Sequence, residues 1–376
     1  MAVVGRAREG NVLKILFFYY GVDPNWRSNR TFPYALTKHA DVKYYGQVAK
    51  EPGKVAYTIE EKPTEKSRPW QTYGHLVRHG KLSESIDALE IIQKIYPNDY
   101  PDAVVTFFDP DTFPAIKNFG KCKCLRVVWS IEVHNTFSQS EQSRRKLQWC
   151  TENVDLVFKP SDPNNRLEQS KRLKATGVAV EMNIPSINTD FFYDKQLPKK
   201  YDVANLFGIN IPAIYPLRWE IREKLRTQKK WSYREPASVW IKGKRLGIPG
   251  IPVGTIPRGE KYVNAICQSR VFATGSGMYR ADWGVLVMKW LEVPACNTLL
   301  MINKLTPTDD MDAMGFKPDV NFVAINKNNF LERIQYYLSH PSEAKTIAQR
   351  GYDLIRSKHS QNIRANEFIA KIRKYL

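Results

Sequence analysis

Residues 289–301 read Lys-Trp-Leu-Glu-Val-Pro-Ala-Cys-Asn-Thr-Leu-Leu-Met. Two charged residues, Lys289 and Glu292, stand on an otherwise apolar segment, and a strand-like run begins at Thr298. A carboxylate on an apolar element is costly to bury unless a partner binds it. At the edge of an α/β sheet that partner is usually a ligand. We therefore predict a ligand-binding role for Glu292, with a solvated glutamate at a helix–strand junction as the alternative.

Apolar runs typical of buried parallel strands recur on both sides of this segment and alternate with amphipathic helices. The predicted strands are 14–20, 42–46, 103–108, 125–131, 154–158, 178–182, 201–207, 239–241, 270–274, 298–303 and 320–325. This alternation predicts an α/β protein with doubly wound sheets, and functional residues at the carboxyl ends of the strands. We further expect a loop over 242–259 and a helix over 283–291. A polar stretch at 186–200 predicts a linker between two α/β halves.

The chain carries 57 Lys and Arg against 38 Asp and Glu, a net charge of +19. Residues 217–261 concentrate this excess and interleave it with aromatic side chains, a pattern that suits contact with a polyanion such as nucleic acid. Within this stretch we predict Lys242, Lys244 and Arg245 as polyanion-binding residues. The alternative is a solvated basic face that keeps the protein soluble.

Five scattered cysteines do not form a disulfide framework, and Cys122-Lys-Cys124 lacks the partners of a zinc site. No apolar run reaches the roughly 18 residues of a membrane span. The first residues lack the apolar core of a signal peptide. We therefore expect a cytoplasmic protein without a structural metal or membrane span.

Several motifs resemble, in order and spacing, those of GT-B glycosyltransferases, in particular the CgeB-like, group 1 branch. Residues 183–192 (Asn-Ile-Pro-Ser-Ile-Asn-Thr-Asp-Phe-Phe) are similar to the interdomain Leu-Pro-x-Gly-Ile-Asp-x-x-x-Phe stretch, and residues 289–300 resemble the Glu-x-x-Ala-x-Gly element. Further resemblances lie at 201–218, 262–271, Gly351-Tyr352, His359-Ser360 and Arg364-Ala365. The resemblance covers roughly residues 150–376.

The resemblance implies two Rossmann-like domains with a donor/acceptor cleft between them. Residues 1–190 would form the acceptor-side domain and 191–355 the nucleotide-sugar domain, with a C-terminal helix over 356–376 crossing back to the first. Two departures leave the retaining or inverting mechanism open. The family often places a second glutamate about two helical turns earlier, where this chain has Asp282 and Gly284, and Cys296-Asn297 replaces the family's glycine.

The resemblance also implies a nucleotide-sugar donor, most simply a UDP-sugar, and no required metal. Glu292 would accept hydrogen bonds from the ribose hydroxyls. Backbone N–H groups of Gly275, Ser276 and Gly277 are candidates for approaching the phosphates, with a plain turn as the alternative. The cations that could stabilise the leaving diphosphate are Arg218, Arg280 and Lys289.

An inverting enzyme needs a general base beside the attacking hydroxyl. Asp109, Glu132 and His134 follow predicted strands and are the candidates, with helix caps or sheet-edge polar residues as the alternative. We predict a glycosyltransferase that acts on an anionic acceptor. Hydroxymethylated double-stranded DNA and an anionic surface or spore polysaccharide both fit. The alternative is a non-enzymatic nucleic-acid-binding protein on an inactive GT-B frame.

Overall fold

The computed structural model describes residues 12–18, 32–45, 87–108, 116–130, 141–206, 215–228, 230–235, 237–240, 252–255, 259–280 and 283–376. The chain divides into two compact units. Unit 1 comprises Met1–Ser186 and Gln361–Leu376, and unit 2 comprises Ile187–Ser360. The predicted boundaries after residues 190 and 355 lie a few residues from these. The assignment of acceptor and donor roles to the two units stays a prediction.

Unit 1 is built on a six-stranded parallel sheet in the order β2-β1-β3-β4-β5-β6. Its strands are β1 (Lys14–Phe18), β2 (Asp41–Tyr45), β3 (Ala103–Phe108), β4 (Leu125–Ser130), β5 (Leu156–Lys159) and β6 (Ala179–Met182). Its first helices are α1 (Phe32–Leu36), α2 (Ala88–Ile95), α3 (Glu141–Asn153) and α4 (Glu168–Ala175). The sheet pairs throughout in parallel, which explains the uninterrupted burial of Ile15 to Phe18.

Unit 2 contains a five-stranded parallel sheet in the order β15-β14-β11-β7-β8, and two antiparallel strand pairs, β9 with β10 and β12 with β13. Its strands are β7 (Tyr201–Ala204), β8 (Tyr233–Arg234), β9 (Ala237–Trp240), β10 (Pro252–Thr255), β11 (Ser269–Ala273), β12 (Gly277–Arg280), β13 (Trp283–Val285), β14 (Leu299–Ile302) and β15 (Val323–Ala324). Its helices are α5 (Pro216–Thr227), α6 (Glu260–Cys267), α7 (Lys289–Ala295), α8 (Asp309–Met314), α9 (Phe330–Ser339) and α10 (Pro341–Leu354). No helix among the described ranges combines the length and apolarity needed to cross a membrane.

The last helix, α11 (Gln361–Lys374), packs on the sheet of unit 1. Its Phe368 ring lies 4.2 Å from the ring of Phe158 in β5, measured between centroids. The side chain of Lys371 donates to the Met182 carbonyl at the end of β6. The chain therefore leaves unit 1 at Ser186 and returns to it at Gln361.

Two local expectations for unit 2 are wrong. The predicted helix over 283–291 begins only at Lys289, because β13 pairs with β12 and the Gly284 N–H donates to the Thr306 carbonyl at 2.5 Å. The predicted loop over 242–259 contains β10, which pairs with β9. In both cases the segment forms a strand because it pairs with another strand. The spacing of apolar residues within one segment does not show which strand it will pair with.

Helix α10 approaches α7 at a glycine. A Cβ atom on Gly351 would lie 2.7 Å from the Asn321 carbonyl oxygen and 3.3 Å from Pro294 Cβ. We expect Gly351→Ala to lower the free energy of unfolding by about 1–3 kcal/mol, as overpacking does, even though alanine favours a helix. Urea denaturation measures this, and the exposed Arg350→Ala serves as the control on the same helix. A Gly351→Ala protein as stable as the wild type would contradict this close approach.

Candidate functional site

Polar groups gather at the carboxyl edge of the unit 2 sheet. Thr274, Gly275 and Ser276 follow β11, and Asn303 follows the neighbouring strand β14. The Ser276 N–H donates to Asn303 Oδ1 at 2.7 Å, which joins the two strand ends. In parallel α/β sheets this edge is where ligands bind.

The start of α5 packs closely against the segment after β11. A Cβ atom on Gly275 would lie 3.1 Å from the backbone nitrogen of Arg218, and one on Gly277 would lie 2.7 Å from the ring of Tyr215. A side chain at position 275 would press on the start of α5, and one at position 277 would displace the Tyr215 ring, so glycine permits this close packing. Gly277 begins β12, and the role of the Gly-Ser-Gly motif at the phosphates stays a prediction.

Arg218 is buried, and no carboxylate among the described residues forms an ion pair with it. Arg218 is 6% exposed. Its Nε donates to the Gly275 carbonyl at 2.6 Å, and its guanidinium lies over the Tyr215 ring, 4.0 Å from the ring centroid. Its two terminal nitrogens make no hydrogen bond or ion pair with any residue in the described part of the chain. Burial lowers the pKa of Arg218 to about 10. The site thus contains a buried cation whose desolvation is offset only in part by the charge of Glu292.

Glu292 is also buried, at 5% exposure, and its partners are defined. Its Oε2 accepts from the Tyr262 hydroxyl at 2.8 Å and from Lys289 Nζ at 2.6 Å. No described residue donates to Oε1. Burial, and then the charge of Glu292, raise the pKa of Tyr262. Arg218 interacts electrostatically with Glu292 and Tyr262, so these groups share one neighbourhood.

Helix α7 is tied to the strand ends by a second contact. The indole Nε1 of Trp290 donates to Ser276 Oγ at 2.9 Å, while its ring packs edge-on against Phe316 and Phe322. The helix that carries Glu292 is thereby fixed both to the segment after β11 and to the core of unit 2.

Comparison with solved structures shows the same architecture over nearly the whole chain. Similar structures are sucrose-phosphate synthase from Thermosynechococcus elongatus (14% identity, TM-score 0.57, 96% of this chain and 98% of that one) and a glycosyltransferase from Rickettsia africae ESF-5 (11%, 0.58, 97% and 99%). HepE from Anabaena, solved in complex with UDP-glucose, is another (10%, 0.55, 97% and 100%). At these identities the likeness shows the fold.

Residues 219–370 match the model of the glycosyl transferase-like family. Over these residues the chain is similar to glycosyltransferases, and its fold is that of the GT-B type. This confirms the predicted fold class and the resemblance to GT-B glycosyltransferases, and it favours the enzymatic hypothesis over the non-enzymatic one. No curated protein sequence matches the chain.

One departure from the GT-B glycosyltransferase pattern has a structural explanation. In the Glu-x-x-Ala-x-Gly element, Asn297 stands where the pattern has glycine. Its φ is +52°, in the left-handed region that glycine and asparagine adopt most readily. The chain therefore makes the turn between α7 and β14 with an asparagine, whose Nδ2 also donates to Asp194 Oδ2 at 3.1 Å.

The remaining predicted site residues stand as follows. Lys289 is paired with Glu292, so its role at the diphosphate stays a prediction. Arg280 ends β12, and its side chain lies outside the described residues. Also outside them are Asp109, Glu132, His134, Lys242, Lys244 and Arg245.

Three site residues were missed by sequence reasoning: Tyr215, Tyr262 and Asn303. Tyr215 and Tyr262 lie in segments that resemble GT-B motifs, 201–218 and 262–271, but the sequence assigned no role to either side chain. The described ranges contain no group of three His, Cys, Asp or Glu side chains able to hold a metal ion.

Proposed function

We propose that this glycosyltransferase transfers a sugar from a UDP-sugar to a hydroxyl of an anionic acceptor, with Arg218 and Glu292 holding the donor. The observation that carries the proposal is the buried guanidinium of Arg218, whose terminal nitrogens bind no described residue, within electrostatic reach of the buried carboxylate of Glu292. A positive and a negative group at one sheet edge match the two polar parts of a nucleoside diphosphate, its phosphates and its ribose hydroxyls.

Arg218 is the proposed phosphate ligand. A buried cation without a partner destabilises the protein, and an anionic ligand supplies that partner. Arginine suits phosphate because its planar donors bind two oxygens at once. Arg218 also lies in the first turn of the twelve-residue helix α5, where the helix dipole favours negative charge. As the diphosphate leaves, these groups would stabilise its growing charge.

Glu292 is the proposed ribose ligand. Its Oε2 already accepts two hydrogen bonds within the protein, while Oε1 has no donor among the described residues. An ionised carboxylate only accepts, so Oε1 suits the donor hydroxyls of a ribose. HepE from Anabaena was solved with UDP and with UDP-glucose, which supports a uridine nucleotide as the first donor to test.

The acceptor is proposed from charge. A net charge of +19 attracts polyanions, and hydroxymethylated DNA or an anionic polysaccharide would each provide acceptor hydroxyls. Asp109, Glu132 and His134 remain the candidates for the general base. A cytoplasmic location is part of the same proposal, since nucleotide sugars would be available there.

Donor binding is testable without knowing the acceptor. We expect UDP at about one hundred times its Kd to stabilise the folded protein by about 2.7 kcal/mol, as linkage requires, and uridine at the same concentration to stabilise it far less. Thermal unfolding with UDP, GDP, ADP, uridine and inorganic pyrophosphate measures this. If no nucleoside diphosphate shifts the midpoint, and no UDP-sugar is hydrolysed to free UDP, the proposed donor site is wrong.

The acceptor can then be assigned by mass. Duplex DNA with and without hydroxymethyl groups, and an anionic polysaccharide, are incubated with the UDP-sugar that is hydrolysed. A hexose-sized or pentose-sized mass increase on one of them identifies the acceptor class. An increase on unmodified DNA would contradict transfer to the hydroxymethyl group.

A further inference from the structure

Tyr262 links two helices at the candidate site. It lies in the first turn of α6 and is 7% exposed, and its hydroxyl donates to Glu292 Oε2 on α7 at 2.8 Å. Lys289 Nζ lies 4.7 Å from the centroid of the same ring and donates to the same carboxylate oxygen. The ring also packs edge-on against Phe192, at 6.3 Å between centroids.

The two donors to Glu292 differ in rigidity. Lys289 is three residues before Glu292 on the same helix and holds it through a flexible four-carbon chain. Tyr262 is a buried ring on a different helix, so its hydroxyl position is fixed by packing on several sides. The tyrosine therefore determines where Oε2 lies, and with it the plane of the carboxylate.

The hydroxyl of Tyr262 is a constant donor. Burial raises its pKa above the already high value of a free tyrosine, and the charge of Glu292 raises it further. It is therefore protonated at neutral pH. Because Glu292 as a carboxylate can only accept, the direction of this hydrogen bond is fixed.

We propose that Tyr262 is a positioning residue for donor recognition: by holding Oε2 of Glu292, it leaves Oε1 oriented for the ribose hydroxyls and so favours ribonucleotide over deoxyribonucleotide donors. This inference rests on the proposed function of Glu292 as the ribose ligand. Its physical basis is preorganisation, since a carboxylate held in place before binding loses less rotational freedom when the ligand arrives.

The test compares Tyr262→Phe with wild type, using UDP and 2′-deoxy-UDP as ligands in calorimetry. Wild type is expected to bind UDP about tenfold more tightly than 2′-deoxy-UDP, the value of about one hydrogen bond to a charged group. In Tyr262→Phe we expect UDP affinity to fall about three- to tenfold while 2′-deoxy-UDP affinity changes little, so that discrimination is mostly lost. The melting temperature of each variant shows that it is folded.

Tyr337→Phe is the matched control. Tyr337 is a buried tyrosine of the same unit whose hydroxyl makes no hydrogen bond with a described residue, so its variant should keep both affinities. A Tyr262→Phe protein that binds UDP and discriminates as wild type does would overturn the inference while leaving the proposed function intact. A wild-type protein that does not bind UDP would overturn the proposed function and this inference together.

Discussion

Arg218→Met is expected to lower affinity for UDP by about ten- to a hundredfold while leaving the free energy of unfolding unchanged or raised. The loss follows from removing charge-assisted hydrogen bonds to phosphate, worth about 1.5–3 kcal/mol, or roughly one to two powers of ten in Kd. The gain in stability follows because the substitution removes a buried charge that has no ion-pair partner among the described residues. Calorimetry with UDP and urea denaturation give the two quantities.

Arg222 provides the matched control on the same helix. It is 3% exposed, so it is as buried as Arg218, but its Nε donates to Glu235 Oε2 at 3.3 Å. Arg222→Met should therefore lower the free energy of unfolding, by about 1–3 kcal/mol, and leave UDP affinity unchanged. If the Arg218 variant instead loses stability and keeps its UDP affinity, Arg218 is a structural residue and not a phosphate ligand.

Glu292→Gln is expected to lower UDP affinity by about tenfold or more and to abolish the preference for UDP over 2′-deoxy-UDP. Glutamine has almost the same shape, so the change mainly removes the charge that strengthens hydrogen bonds from the ribose hydroxyls. It also leaves Lys289 without its anionic partner, so we expect a smaller fall in stability. UDP titration and thermal unfolding measure both effects.

Two controls test whether the effect of Glu292→Gln is specific to the donor site or follows from the loss of any negative charge. Glu332→Gln alters an exposed glutamate in α9 of the same unit and should leave UDP affinity unchanged. Binding of duplex DNA or heparin should be equal in wild type and Glu292→Gln, because a polyanion surface does not depend on a buried carboxylate. Parallel loss of UDP and polyanion binding in Glu292→Gln would contradict a separate donor site.

Most strands of the two sheets could be predicted from the sequence because parallel strands covered on both faces are continuously apolar. The edge strand β8 (Tyr233–Arg234), which is only two residues long, was missed. The run at 103–108 coincides with β3, and the other predicted strands among the described residues differ from the observed ones mainly at their ends. The expectation failed at β13, where Trp283 is held by pairing with β12. Antiparallel pairing of short segments leaves little trace in either chain segment alone.

The site could be predicted only in part, for a related reason. Glu292 and Lys289 are visible as charges on an apolar segment, and their spacing of three residues already places them on one helix face. Tyr262 could not be predicted, because its role depends on a hydrogen bond between residues 30 positions apart. The sequence likewise could not show that Arg218 lacks an ion-pair partner among the described residues, because Arg222 on the same helix is paired.

The seven residues of α7 supply both a proposed ligand-binding carboxylate and the aromatic centre of unit 2, since Trp290 and Glu292 are separated by one position. Random variation in this helix will therefore damage expression before it alters donor choice. Directed evolution toward other nucleotide sugars should leave α7 intact and diversify Tyr215 and Asn303. These two residues lie outside α7, directly before α5 and directly after β14.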